Sequence, residues 1–344
     1  MSDKKGRDKQ PSLDDVAKAA GVNRVTASIA LRGPRPGARS GTRISEATRQ
    51  RIIDVARELG YAPNAIALAF RRQRTDLIGF YTGYGNAIDP HLPFIADVLH
   101  GLQQGCEHHQ QDLVIYGGFA RHSTNEIYAA LVSGKIDGLV VLPSPLNPVV
   151  EKLVHSHLPA VAIANAVAGL PSVTVDDAEG SRLLAAYLAK QGHRRVLYRT
   201  DTVDHVSPGL RRRAFLQAAA EHALEVTVSL PESSSDAMTA AEHALLTGPP
   251  QQRPSAVVCW VDTSAHAFLI DCARCGIRVP EDIAVAGFDG VVGVVPPLYR
   301  LTTVRAPWRT VTERAVDLVI DLIEGREVPA ETVLPVELII GETA

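Results

Sequence analysis

The sequence predicts an α/β protein in three parts: an N-terminal all-α helix-turn-helix head, a short hinge helix, and a larger body of two doubly wound parallel sheets. Three observations carry this. Residues 12–31, SLDDVAKAAGVNRVTASIAL, read as two short helices about a tight turn. From Asp76 onward, short apolar runs alternate with helical stretches, twice over. Charge is also divided unequally: residues 1–75 hold 16 Lys and Arg against 7 Asp and Glu, and the remainder 19 against 31, although the whole chain carries only −3. A basic head on an acidic body is the pattern of a phosphate-binding module joined to something that does not bind nucleic acid.

At 344 residues the chain has room for two or three domains, and 46% hydrophobic with 21% charged residues is a globular composition. No apolar run approaches membrane-spanning length, and the opening MSDKKGRDKQ lacks the hydrophobic segment of a secretory signal. A cytoplasmic protein without membrane association is expected. Residues 1–11, polar and aperiodic, are expected to form a disordered tail. The four cysteines, Cys106, Cys259, Cys272 and Cys275, are too few and too scattered for a disulfide framework. The CxxC of Cys272 and Cys275 has no second pair and sits at the end of an apolar helical run, so a structural role is expected and no metal or cofactor.

The head spans residues 12–62. Ser12 is a good N-cap, and Asp14 and Asp15 place negative charge at the positive end of a helix. Gly21 stands where the chain must reverse, and Asn23 can cap the second helix. Ala27, Ala30 and Leu31 point back toward Val16 and Ala17, which leaves Arg24, Val25 and Ile29 outward. In a DNA-reading helix-turn-helix the start of the second helix enters the major groove. There Arg24 could bridge guanine O6 and N7, while Val25 and Ile29 offer apolar contact. A helical hairpin without nucleic acid is the alternative reading of these residues. Residues 33–43, with Arg35, Arg39 and Arg43 among Gly and Pro, form a loop by composition, either lying along a phosphate backbone or simply solvated. A third helix runs from its cap Ser45 through Ile52, Val55 and Leu59 to Gly60.

Residues 63–75 form the hinge and linker. Pro63 ends the preceding helix, and Asn64 can cap a short one over Ala65 to about Arg71. So short a helix needs neighbours to be stable. Phe70 would either wedge between base steps in a minor groove or serve as an aromatic in an interdomain linker.

The body spans residues 76–344. Its first series of strands is LIGFY, DLVIY, DGLVVL, AVAIA and SVTV, with helices near 93–109, 124–133 and 148–156. The second is RVLYRT, EVTVSL, AVVCWV and IAVAGF, with helices near 178–191, 210–223, 236–246 and 263–275. Two such lobes create a cleft at the carboxyl ends of their strands, where ligands bind. Candidates there are His91 and Phe94, Asp176 near the crossover, Arg211, Trp260 to Asp262, and Phe288 with Asp289. Arg211 and Asp289 suit a polyhydroxylated ligand, and an aromatic face suits the C–H side of a sugar.

The stretches DVAKAAGVN, ISEATRQRI, LGYAPNAIA, LIGF, DGLVV, VDDAEGSRL, QGH, VPEDIAVAGFDG, LTTVRAP and LPVELII, in this order from residue 12 to about 340, resemble the LacI/GalR family of bacterial transcriptional repressors. The resemblance implies a homodimer whose heads read a near-palindromic double-stranded DNA operator while hinge helices enter the central minor groove. The body then resembles a two-lobed periplasmic-binding-protein-like fold, in which a small-molecule effector, a carbohydrate by this reading, alters DNA affinity. By position, Arg24, Val25 and Ile29 fall on the family's base-reading sites, Thr26 and Ser28 on phosphate contacts, and Asn64, Ala67 and Phe70 on the hinge helix. In the cleft, Phe94 and Ile95 fall on its aromatic pair, Arg211 on its ligand-clamping arginine and Asp289 on its ligand-binding aspartate.

The sequence departs from the family at three places. The loop after Gly33 is longer, Phe70 replaces a wedging leucine, and Val261 stands where the family commonly has asparagine before the aspartate, here Asp262. The family's C-terminal tetramer-forming heptads are absent, so a dimer is expected. A solute receptor is a competing reading, against which the basic head argues. An enzyme is not expected, because His91, His193 and His205 are accompanied by no GxSxG, HExxH or phosphate loop.

Overall fold

The computed structural model describes residues 11–31, 44–84, 88–89, 91–119, 121–144, 148–200, 206–231, 238–291 and 299–344, the side chains of 65, 66 and 71 excepted. All but Pro11 of the expected tail, His205, and the loop from Gly33 to Arg43 with Arg35, Arg39 and Arg43 lie outside the described residues. The chain divides into two compact units, Met1–Thr75 and Asp76–Ala344.

In the first unit α1 (Leu13–Ala19) opens with a reciprocal cap: Asp15 N–H donates to Ser12 Oγ at 3.3 Å, and Ser12 N–H donates to the Asp15 carboxylate at 2.8 Å. Gly21 reverses the chain at φ 63°, where any side chain would strain the backbone. α2 (Arg24–Leu31) begins at Asn23, whose side-chain oxygen accepts the Thr26 N–H at 2.7 Å. α3 (Glu46–Glu58) starts at Ser45, and its Arg49 Nη1 donates to the Ala30 carbonyl at 3.2 Å, pairing an orphan acceptor at the end of α2. The core they enclose is made of small residues, Val16, Ala17, Ala20, Ala27, Ala30, Ile52 and Ala56, so the three helices can approach closely. α4 (Ala65–Arg72) is capped by Asn64, which accepts the Ala67 N–H at 3.1 Å.

In the second unit the first lobe alternates β1 (Leu77–Thr82), β2 (Asp112–Tyr116), β3 (Gly138–Leu142), β4 (Ala160–Ile163) and β5 (Ser172–Val175) with α5 (Pro93–His108), α6 (Thr124–Leu131) and α7 (Val149–Val154). The second lobe begins with α8 (Asp177–Lys190). It continues through β6 (Arg195–Arg199), α9 (Val206–Glu221), β7 (Glu225–Ser229), α10 (Ala240–Thr247), β8 (Ala256–Cys259), α11 (Asp262–Arg274) and β9 (Ala284–Asp289). β3, β4, β5, β8 and β9 are buried along their whole length and mostly apolar, as strands covered by helices on both faces must be.

The structure adds elements that the alternating pattern, read only as far as IAVAGF, leaves out: β10 (Thr302–Arg305), α12 (Trp308–Ile323), β11 (Glu331–Leu334) and β12 (Glu337–Ile339). They change the topology. The lobes are not two consecutive blocks, because α12 returns to the first lobe, β11 joins β5 there, and β12 joins β10 in the second. The sheets run β11-β5-β4-β3-β1-β2 and β12-β10-β9-β8-β6-β7, parallel throughout except for β10 with β12. The chain therefore crosses between lobes three times, which ties them together. α12 presents Val311, Ala315, Val316 and Val319 as a buried stripe, and α5 meets it at glycines: a Cβ on Gly105 would lie 2.9 Å from that of Val316.

Gly180 on α8 is similarly closed in, since a Cβ there would lie 2.7 Å from Phe288 and Val304. Gly180→Ala should lose about 1–3 kcal/mol in urea unfolding, whereas Gly118→Ala, in open space, should change stability by less than about 0.5 kcal/mol.

Candidate effector cleft and nucleic-acid interface

The cleft is built on one guanidinium. Arg211 lies in the second turn of α9 and is 3% exposed. Its Nε donates to Asp177 Oδ1 at 2.7 Å, and its Nη1 donates to the Trp260 carbonyl at 2.8 Å and to Asp289 Oδ1 at 3.2 Å. The plane rests on Phe288, with Cζ 3.7 Å from the ring centroid, a short cation–π distance for a buried group. Burial opposes the charge, but Asp177 and Asp289 outweigh it and hold the guanidinium above the usual arginine value. Asp289 ends β9 at φ 116°, backbone strain at a position whose side chain the cluster requires. Burial pushes its carboxyl up to about 6; Arg211 pulls the other way and Asp177 adds to the rise.

Around this cluster, among the described residues, three buried donors have no hydrogen-bond partner: the indole N–H groups of Trp260 and Trp308 and the hydroxyl of Ser207. Trp308 heads α12 beside Asp289, without closing a bond of ordinary length to it, and its ring meets Phe94 edge-on at 4.9 Å. Ser207 lies one helical turn before Arg211, so both face the same side of α9. Its backbone N–H donates at 3.0 Å to Asn165, just past β4, which joins the second lobe to the first across the cleft. Buried polar atoms are rarely left unpaired, so these donors single out the cluster as the candidate site.

The structure therefore gathers Arg211, Trp260, Phe288 and Asp289, and brings Phe94 in through Trp308. Four expected residues stand elsewhere. His91 is exposed, its main-chain N–H bound to Asp89 at 2.9 Å. Ile95 is buried on the core face of α5. Asp176 turns its carboxylate back to cap α8, accepting the Glu179 N–H at 2.8 Å, and the next residue, Asp177, reaches Arg211 instead. Asp262 lies beneath the cluster with both oxygens engaged, one by the Thr303 hydroxyl at 2.6 Å and the other by the Val291 N–H at 3.0 Å. Burial, then Asp289, raises the Asp262 carboxyl well above the carboxylate range.

Sequence reasoning missed Asp177, Trp308, Ser207 and Asn165. The doubled aspartate of VDDAEG and the tryptophan after LTTVRAP were the available signals. It also missed a second buried pair, Arg199 Nε to Glu242 at 2.9 Å, which is fully enclosed by Ser264 and Ser229 and braces the second lobe.

In the head, Arg24 is exposed and pairs with Asp14 at 3.5 Å. Such a surface pair contributes at most about 1 kcal/mol and yields easily to another anion. Val25 beside it is 66% exposed, and Thr26, Ser28 and Ile29 are half-buried along α2. On α4, Ala67 is exposed, the Asn64 oxygen caps the helix, and Phe70 is 85% exposed, an unusual position for a phenyl ring in water.

A family model described as bacterial regulatory proteins, lacI family, matches residues 12–64, and one described as periplasmic binding protein-like domain matches 185–344. The HTH-type transcriptional repressor PurR of Edwardsiella ictaluri is 28% identical over 335 residues, covering 94% of this chain and 93% of its own. That of Aliivibrio fischeri is 28% identical over 327 residues, covering 92% and 93%. The chain belongs to the LacI/GalR family. Like other LacI/GalR members it is a DNA-binding regulator with an effector-binding domain. The fold agrees: a lac repressor dimer bound to operator and the anti-inducer ONPF superposes with a TM-score of 0.80 at 20% identity, covering 97% of this chain and 99% of that one. A CelR–cellobiose complex gives 0.66 at 24% identity, covering 97% and 100%. Among the described residues no helix is long and apolar enough to cross a membrane.

Removing Arg211 would leave two carboxylates buried without a counter-charge. Arg211→Ala should lose about 3–5 kcal/mol in urea unfolding, the cost of breaking a buried ion pair from one side.

Proposed function

We propose that this LacI/GalR member is a cytoplasmic repressor that binds a near-palindromic operator as a homodimer, and whose operator affinity is set by a carbohydrate-class effector in the interlobe cleft. The observation that carries the effector is the Arg211 cluster. Carboxylate acceptors at Asp177 and Asp289, three unpartnered donors at Trp260, Trp308 and Ser207, and the aromatic faces of Phe94, Trp308 and Trp260 answer a ligand that both donates and accepts and has one apolar side. Hydroxyls on a ring have those properties. Because the Asn165–Ser207 bond spans the lobes, a ligand seated there favours one lobe arrangement over another. If operator binding favours one arrangement too, each ligand changes the affinity of the other by the same factor.

On DNA, Arg24 and Val25 supply base contacts, Thr26, Ser28 and Ile29 line the same helix, and Asn64, Ala67 and Phe70 place α4 in the minor groove, with the phenyl ring as the wedge. The exposure of Phe70 supports that role over a linker aromatic packed on a core.

Fluorescence anisotropy on duplexes chosen by selection from random sequence tests the reading. Log affinity should fall with log salt at about −0.9 per phosphate neutralised. Arg24→Ala should lose about 1–3 kcal/mol on the selected site and relax preference at one base pair per half-site. An equal loss on random DNA would reassign Arg24 to the phosphates.

The cleft gives a pH prediction. With the Asp289 carboxyl near 6, effector affinity should fall as pH drops from 7.5 to 5, because the proton removes an acceptor, and Asp289→Asn should flatten that profile in calorimetric titration. Without effector the sign reverses: the fold holds that proton more tightly than the unfolded chain, so this group adds stability as pH falls from about 6 toward the ordinary carboxyl value.

A further inference from the structure

Among the described residues the cleft has one buried guanidinium, and it is already over-matched. Asp177 Oδ1 lies 2.7 Å from Arg211 Nε and Asp289 Oδ1 lies 3.2 Å from Nη1, with all three side chains less than a tenth exposed. The two donors that face these carboxylates are thus engaged by them, and a third bond goes from Nη1 to the Trp260 carbonyl. Asp262 is a further carboxyl beneath them, held by Thr303 and Val291 and bringing no cation. The other buried arginine, Arg199, is matched by Glu242 in its own enclosed pair. Arg212 follows on α9, half-buried, and its charge acts on Tyr198. Around Arg211 the described residues therefore place two carboxylates on one guanidinium.

Resting on the reading of this cleft as the effector site, we propose that Asp177 sets its charge specificity: the effector is uncharged or carries an amine, and phosphorylated or carboxylated ligands of the same skeleton are rejected. An anion would have to displace a buried carboxylate from Arg211 or sit beside an excess of one negative charge at low dielectric. Either is a severe penalty where solvent screening is weak. The remaining capacity of the site fits the same ligand. The unpartnered Trp260, Trp308 and Ser207 donors suit neutral oxygen acceptors, and the carboxylates suit hydroxyl or ammonium donors. Asp176, next in sequence, has no part in this, because its carboxylate caps α8.

The test is a calorimetric and thermal-shift panel on the full chain at constant ionic strength. It pairs neutral sugars with their phosphate, uronate and amino counterparts, for the unmodified chain and for Asp177→Asn, which keeps the shape and removes the charge. The neutral or amino member should bind at least about tenfold more tightly than its anionic counterpart, and Asp177→Asn should shrink that ratio by at least about tenfold. A preference for the anionic member, or a ratio that Asp177→Asn leaves unchanged, overturns the proposal.

Inorganic phosphate serves as a probe that needs no sugar. It should give no saturable stabilisation of the unmodified chain and a saturable one in Asp177→Asn. A saturable shift in the unmodified chain that Arg211→Lys abolishes, or no shift in either form, overturns it. If no sugar binds but phosphate behaves as expected, the carbohydrate reading fails and the charge rule stands.

Discussion

The effector domain depends on keeping one arginine ionised in the dark of the fold. Arg211 is drawn from α9, Asp177 from the start of α8 and Asp289 from the end of β9, so a single guanidinium fixes three elements that the chain visits far apart. An uncompensated charge at that depth would be strongly destabilising. The Phe288 face beneath it, the Trp260 carbonyl beside it and the strained Asp289 backbone all serve that compensation. Among the described residues the same arrangement leaves donors at Trp260, Trp308 and Ser207 without partners.

The lobes can be read in the same terms. Three crossings, before α8, before α12 and between β11 and β12, make each sheet depend on chain that has already passed through the other. α12 supplies both a buried stripe for the first lobe and, through Trp308 at its N-terminus, a wall of the cleft beside a residue of the second. The head works by local rules instead. Its helices are started by Ser12, Asn23, Ser45 and Asn64, reversed by Gly21 and Gly60, and held on an alanine-rich core that leaves Arg24 and Val25 to solvent.

Much of this was legible because it is local. The caps, the glycine turns, α4 and nine of the body's strands follow from side-chain hydrogen bonds, backbone freedom and apolar patterning within a few residues. Trp260, Phe288 and Asp289 were legible as residues at the carboxyl ends of strands and Arg211 as one on the helix that follows a strand, where such folds bind ligands. Asp176 was chosen in place of Asp177 because position alone does not say which of two adjacent carboxylates caps a helix and which turns to a cation; the first turn of α8 settles it. Asp262 looked like a ligand contact and is instead held by Thr303 and Val291, partners about 30 to 40 residues distant that no local pattern ties to it. His91 and Ile95 flank Phe94 in sequence, but α5 turns one to solvent and the other to the core.

By itself the sequence determined the order of modules, the division of charge between head and body, the start and stop of most helices, and the surface that α2 offers outward. These are set by interactions spanning a turn or two of chain. Only the tertiary structure decided that the lobes interleave, that Trp308, Ser207 and Asn165 meet at the cleft, and that Asp177 rather than Asp176 neutralises Arg211. Those outcomes depend on strand order and on which buried charges find partners, and both are fixed only when segments far apart in the chain, such as β5 with β11 and Phe94 with Trp308, are brought into contact.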